Sequence, residues 1–97
     1  MEIKTKSGFK CKVNENRVKD WRYIKTSTRI AKSNDEMEII NGIDYLMSFV
    51  LEDEYEKLME HIAKKEGIVD SATLIATYRE ITNLLSEQLK KSNSSQG

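Results

Sequence analysis

No proline occurs anywhere in the 97 residues, where average usage of roughly 5% would place about five. Proline is the strongest helix breaker among the residues, so its absence lets each apolar-periodic segment run as an uninterrupted helix. The chain therefore reads as mainly helical, with element ends set by polar caps and glycines. Its length is that of one domain. A chain of this size buries about 60–65% of its unfolded surface, which makes a modest core. With 38% hydrophobic residues, partner contacts are expected to supplement that core.

The exception to helix comes first. Ile3 and Thr5 alternate with Lys4 and Lys6, and Phe9, Cys11 and Val13 alternate with Lys10 and Lys12. Period-two alternation around Ser7-Gly8 predicts a β-hairpin over about 2–13, with a two-residue turn. One face carries Ile3, Phe9, Cys11 and Val13, and the other carries four lysines. A lone hairpin is marginal in water, so the apolar face must pack on the helices after it.

Four helices are expected there. A first, over about 16–32, starts at Asn14 or Asn16 and places Val18, Trp21, Ile24 or Lys25, Thr28 and Ala31 on one stripe. Ser33 and Glu36 have capping-box spacing and predict a second helix over about 34–50. It carries Met37, Ile40, Ile43 or Asp44, Met47 and Val50, with Ile39, Leu46 and Phe49 widening the stripe. Gly42 inside it costs about 1 kcal/mol relative to alanine and points to close packing. A third, over about 52–65, has Tyr55, Leu58, Met59 and Ile62 on its apolar face and stops at Gly67. A fourth, over about 71–90, repeats Leu74, Ile75, Tyr78, Ile81, Leu85 and Leu89. The expected class is α+β and mainly α: a single domain over 1–90, a hairpin then a compact bundle of about four helices. Residues 91–97, with the Ser92-Asn93-Ser94-Ser95-Gln96-Gly97 stretch, are expected to form a disordered tail.

Charge is sorted along the chain. Met1 to Lys32 holds ten basic residues against Glu2, Glu15 and Asp20, a net of +7. Ser33 to Gly97 holds six basic against thirteen acidic residues, a net of −7. Such asymmetry speaks about partners. A basic face of Lys4, Lys6, Lys10, Lys12, Arg17 and Arg29 could meet phosphates, or it could meet the acidic run Glu52, Asp53, Glu54 and Glu56 of a neighbouring copy. Nucleic acid is disfavoured: the lysine face has no interleaved aromatics for stacking, and no recognition helix of basic and amide residues is present.

Catalytic and metal chemistry find little support. His61 is the single histidine and is expected as an exposed bystander on the polar side of the third helix. No partner for a triad lies at a recognisable spacing. One histidine and one cysteine match no zinc pattern. The acidic run lacks a calcium-loop glycine and suits a helix N-terminus on dipole grounds. Cys11, being alone, is expected to be a small core residue of a protein in a reducing compartment. No cofactor, metal or catalytic residue is expected. The segment MEIKTKSGFK has no apolar signal region, and Leu46 to Leu51 is too short to span a bilayer. No membrane role is expected.

The remaining apolar residues favour a protein partner. Trp21, Tyr45, Phe49 and Tyr55, with the methionines Met37, Met47 and Met59, exceed what one core stripe needs, and such residues suit adaptable binding surfaces.

The order of elements carries a resemblance. A hairpin leads into Val18-Lys19-Asp20-Trp21, and a later helix ends in Tyr45-Leu46-Met47. Leu51-Glu52-Asp53-Glu54-Tyr55-Glu56-Lys57-Leu58 comes next, with a break at Gly67 and a last amphipathic helix. Over about Phe9 to Leu89 this resembles the tail assembly chaperones of long-tailed bacteriophages, the group that includes the lambda G protein. The chain departs from that pattern in carrying Leu51-Glu52 where a glycine often precedes the acidic run. The resemblance implies a non-enzymatic chaperone that binds the tape measure protein and keeps it soluble in the host cytoplasm during tail morphogenesis, and that is absent from the mature virion. It further implies a programmed frameshift near Lys90-Lys91 giving a longer form that recruits tail tube protein. The sorted charge is compatible with coating of this kind, since the basic end of one copy facing the acidic end of the next would build head-to-tail arrays. The alternative expectation is a small phage or plasmid regulatory protein that binds nucleic acid through its basic N-terminal face.

Overall fold

The parity of the lysine alternation decides the hairpin. In the computed structural model, which describes residues 1–94, strands β1 (Glu2–Lys4) and β2 (Lys10–Lys12) pair antiparallel with Glu2 opposite Lys12, Ile3 opposite Cys11 and Lys4 opposite Lys10. Residues directly opposite share a face, and a one-residue slip would exchange the faces. A two-residue Ser7-Gly8 turn would have set Lys4 against Cys11. The connection is instead three residues, Lys6 to Gly8, closed by the Thr5 amide donating to the Phe9 carbonyl at 2.9 Å and the Gly8 amide to the Thr5 carbonyl at 3.0 Å. Gly8 takes φ 96°, the left-handed position that such three-residue loops fill with glycine. Ile3, Cys11 and Val13 are buried, Phe9 is half-buried and the four lysines are exposed, as the alternation predicts. Thr5 is also buried, and its hydroxyl accepts from the Phe9 amide at 3.1 Å.

The expected first helix is two. α1 (Glu15–Lys19) ends and α2 (Trp21–Lys32) begins at Asp20, whose backbone is extended at φ −67° and ψ 145°. Its carboxylate accepts from the Arg22 amide at 2.8 Å and from the Arg22 guanidinium at 2.9 and 3.1 Å. A short acidic side chain that satisfies orphan amides favours a cap over helix interior, and this breaks the helix. α3 (Glu36–Leu51) is capped by Asp35, which accepts from the Met37 amide. Ser33 instead ends α2, and its hydroxyl accepts from the Asp35 amide at 3.1 Å.

α4 (Asp53–Glu66) comes next, with only Glu52 between it and α3. Glu52 stands at φ 54° and ψ −125°, a conformation glycine adopts far more readily than any residue with a Cβ. α4 stops at Gly67, φ 85°, whose amide donates to the Ala63 carbonyl at 2.8 Å. α5 (Ser71–Ser94) starts at Asp70, which accepts from the Thr73 amide at 2.8 Å. The helix runs to Ser94, so 91–94 are helical where a disordered tail is expected; the rest of that expected tail, 95–97, lies outside the described residues.

The fold is thus a two-stranded hairpin joined to a mainly helical bundle. α3 is its axis, touching α1, α2, α4 and α5, while α5 also supports β1. Ile43, Leu46, Met47, Val50 and Leu51 of α3 are buried against Leu58 and Ile62 of α4, and against Tyr78, Ile81 and Leu85 of α5. The hairpin's apolar face and Val18 complete that core. The stripes expected of α4 and α5 supply this core, as does that of α3 from Ile43 to Val50; Met37, expected on the same α3 stripe, is instead exposed at the helix start, and Leu51 is buried in addition. The hairpin is pinned at its tip, where the Lys6 amide donates to Glu80 of α5 at 2.7 Å and the Lys65 ammonium donates to the Ser7 carbonyl at 3.0 Å.

Candidate functional site

α2 is the element that departs furthest from the sequence expectation. Val18 faces the core, but the rest of the expected stripe, Trp21, Ile24 or Lys25, Thr28 and Ala31, does not: Trp21 is 64% and Ile24 58% exposed, and α2 buries no residue fully. The break at Asp20 puts α1 and α2 out of phase, so the burial of Val18 does not extend to Trp21. Tyr23 and Ile30, seven residues apart and two turns along one face, are the half-buried side chains that dock α2 on the core. Burial, aided by the nearby Tyr78, pushes the Tyr23 phenol up to about 12.

Close approach of α2 to α3 depends on Gly42. A Cβ there would lie 2.7 Å from Ile30 Cγ1, so the glycine fits a knob from α2 that alanine would displace. The expectation that Gly42 permits close packing holds.

Between the outer edges of the two helices runs an open groove of about 600 Å³. Gly42, Ile30 and Thr26, the half-buried residues among those that line it, form its floor. Trp21 and Tyr45 stand at one end and Met37 at the other, with Met37 63% and Tyr45 49% exposed. Three of the largest exposed apolar side chains of the molecule therefore gather on one concavity. Isolated exposed apolar residues are ordinary, but a contiguous cluster with a polar rim marks an interaction site.

The rim is charged, with a sign on each side. Along α2 stand Arg22, Lys25 and Arg29; along the start of α3 stand Asp35 and Glu38. Arg22 is neutralised by Asp20, whose carboxyl the Arg22 hydrogen bonds hold down at about 2. Lys25 lies over the Trp21 ring at 5.6 Å. Among the described residues, Lys25, Arg29 and Glu38 make no ion pair.

The other expected residues occupy different surroundings. Phe49 is half-buried outside the groove, stacked on Tyr45 at 6.3 Å and clasped by the guanidinium carbons of Arg17 at 4.9 Å and Arg22 at 4.8 Å. It supports Tyr45 rather than presenting a surface of its own. Tyr55 is half-buried and donates its hydroxyl to Asp44 at 3.0 Å; burial first, then this bond, pushes its phenol up to about 12. Lys4, Lys6, Lys10 and Lys12 share the outer hairpin face with Glu2. Arg17 does not join them: it donates to the Phe49 carbonyl at 3.2 Å and pairs with Glu52 at 3.3 Å. Arg29 lines the groove. Of the acidic run, Glu52 meets Arg17 and Glu54 meets Lys57, while Asp53 and Glu56 remain exposed.

His61 corrects a second expectation. It is half-buried, its Nε2 lies 3.2 Å from both the carbonyl and the hydroxyl oxygen of Ser7, and its ring packs on Phe9 at 5.6 Å. The residue ties α4 to the hairpin tip, a contact across 54 positions that helical spacing cannot reveal. Cys11 is buried, and burial, with Glu54 and Glu2 adding to it, pushes its thiol up to about 11. A thiol so protonated is a poor nucleophile. Among the described residues no group of three or more His, Cys, Asp or Glu could hold a metal ion, and no helix is long and apolar enough to cross a membrane.

No protein family, curated protein or solved structure matches the chain. The groove must be interpreted from its own chemistry.

Proposed function

We propose that the protein is a non-enzymatic bacteriophage tail assembly chaperone that receives an apolar helical segment of the tape measure protein in the α2–α3 groove. The observation that carries this reading is the convergence of exposed Trp21, Met37 and Tyr45 on one open groove floored by Gly42. Tryptophan, tyrosine and methionine are the residues that anchor adaptable interfaces, and an open furrow between two helices accepts a third in the helix-in-groove mode. The resemblance of the sequence to the tail assembly chaperones supplies the name of the partner.

Co-expression with a tape measure protein tests the reading. The expected result is a soluble complex with the unaltered chain and loss of that complex with Trp21→Ala/Met37→Ala, at unchanged helical circular dichroism. A complex that survives the double substitution, or a tape measure protein that stays insoluble with the unaltered chain, overturns it. A nucleic-acid reading would rest on the four exposed hairpin lysines, and phosphate-driven binding would appear in gel shifts at low salt.

A further inference from the structure

The groove has an apolar floor, a cationic rim along α2 and an anionic rim at the start of α3. From that asymmetry we infer that it holds its partner helix in a single direction. The inference rests on the groove being the partner-binding face. The occupant is an amphipathic α-helix with a narrow apolar stripe, acidic side chains on one flank and a basic side chain on the other. The acidic flank lies against Lys25 and Arg29, and the basic side chain reaches Glu38.

Three observations define this occupant. The stretch from Met37 to Tyr45 is about 12 Å long at 1.5 Å per residue, which matches two turns of a partner with anchors at i, i+4 and i+7. The middle anchor must be small or slim, because the floor at Gly42 is already closed by Ile30. Arg22 is paired with Asp20, but the rest of the rim carries charge that nothing within the described residues neutralises: Lys25, Arg29 and Glu38 have no ion-pair partner there. Complementary charge at a rim chiefly sets register and excludes wrong partners.

Direction is a matter of chirality. A helix with its apolar stripe facing the floor can lie either way along the groove, and turning it end for end exchanges its two flanks. Only one of the two directions places acid beside α2 and base beside Glu38. Copies seated on successive segments of like charge pattern would therefore all point the same way, which gives a coat with one polarity along an extended partner.

Synthetic peptides of about 18 residues, long enough to be helical in isolation, test this against the full chain. All carry the same apolar stripe, with leucine at the outer anchors and alanine at the middle one. One has glutamate on one flank and lysine on the other, a second has the flanks exchanged, and two more have both flanks acidic or both basic. The expected result at low salt is that the two mixed peptides bind about tenfold more tightly than either uniform one, with the advantage shrinking in high salt. A spin label on the peptide N-terminus broadens amide signals at one end of the groove, either Trp21–Tyr45 or Arg29–Glu38, and exchanging the flanks moves the broadening to the other end. Lys25→Glu/Arg29→Glu shifts the preference to the peptide with two basic flanks.

Equal affinities, or broadening at both ends, overturn the directional inference and leave the groove as a docking face. If no peptide binds, or bound peptide perturbs a different face, the docking reading falls and direction falls with it. A stable dimer of the free chain through this groove, which no peptide displaces, overturns both by naming a second copy as the occupant.

Discussion

α2 and α3 lie side by side and are treated oppositely by the fold. α3 buries five apolar side chains and is touched by α1, α2, α4 and α5. α2 buries none fully and rests on Tyr23 and Ile30. Hydrophobic stabilisation scales with the area removed from water, so α3 belongs to the cooperative core while α2 is attached to it by two anchors. Elements with few buried contacts open at lower free energy than the core and are those that serve binding. The comparison separates a face that holds the molecule together from a face available to something else.

The largest test of that contrast is truncation on either side of it. Leu46→Ala, at a fully buried position of α3, is expected to destabilise by about 3 kcal/mol through lost transfer energy and a residual cavity. Trp21→Ala removes a larger side chain from α2 yet is expected to change stability by no more than about 0.5 kcal/mol, as exposed substitutions do. Urea unfolding of both variants decides it; a Trp21 cost near that of Leu46 would mean that α2 is core.

Gly42→Ala probes the seam between the helices. Helix propensity alone predicts a gain of about 1 kcal/mol. The new Cβ at 2.7 Å from Ile30 Cγ1 is expected to reverse the sign and give a net loss of about 1–2 kcal/mol from overpacking. Ile30→Ala removes the Cγ1 that the new Cβ meets, so Ile30→Ala/Gly42→Ala should lose less than the sum of the two single losses; additive losses in the double-mutant cycle would show that the two residues do not compete for space.

Alkaline pH separates the anchors from the surface. Tyr23, Tyr55 and Cys11 all ionise later in the folded chain than in the unfolded one, because burial disfavours their anions. Their protonated forms are accommodated in the fold, so their contribution is constant below about pH 9. It falls as pH rises through the unfolded values of about 9 to 10 toward about 11 to 12. Tyr23→Phe should flatten the share of this loss that comes from α2, measured by unfolding at pH 8 and pH 11. An unchanged pH dependence would mean that Tyr23 is not an anchor.

The smallest effect concerns the core side. Glu52→Gly relieves a left-handed backbone at φ 54° and gives up an exposed ion pair with Arg17 worth under about 1 kcal/mol. A net gain of up to about 1 kcal/mol is expected. A loss would show that the Arg17–Glu52 bridge matters more than the strain.

Much of the fold was legible because its signals are local. The stripes of α3, α4 and α5 come from apolar residues at helical spacing, and Gly67 marks a real stop. Lysine alternation set the two hairpin faces, and the same alternation carried the odd loop that pairs Ile3 with Cys11. The candidate site was legible only in part. Trp21 and Tyr45 could be singled out as surplus aromatics, but Phe49 and Tyr55 look equivalent in sequence and are occupied with Arg17, Arg22 and Asp44. Met37 gave no signal that separated it from the buried Met47. Asp20 is a good capping residue and could have announced the break before Trp21; the continuity of the apolar stripe concealed it.

The sequence by itself determined the hairpin, the three helices after Ser33 and the face of each helix whose apolar residues outnumber every alternative, because periodicity and capping act over one or two turns. Tertiary structure decided which way α2 turns. α3 has one rich apolar face, and α4, α5 and the hairpin already cover it. What remained for α2 was the contact that Ile30 makes over Gly42. That contact fixed the helix with Trp21 outward and opened the groove. Competition among elements for the same buried surface is non-local, so no window of this sequence contains it.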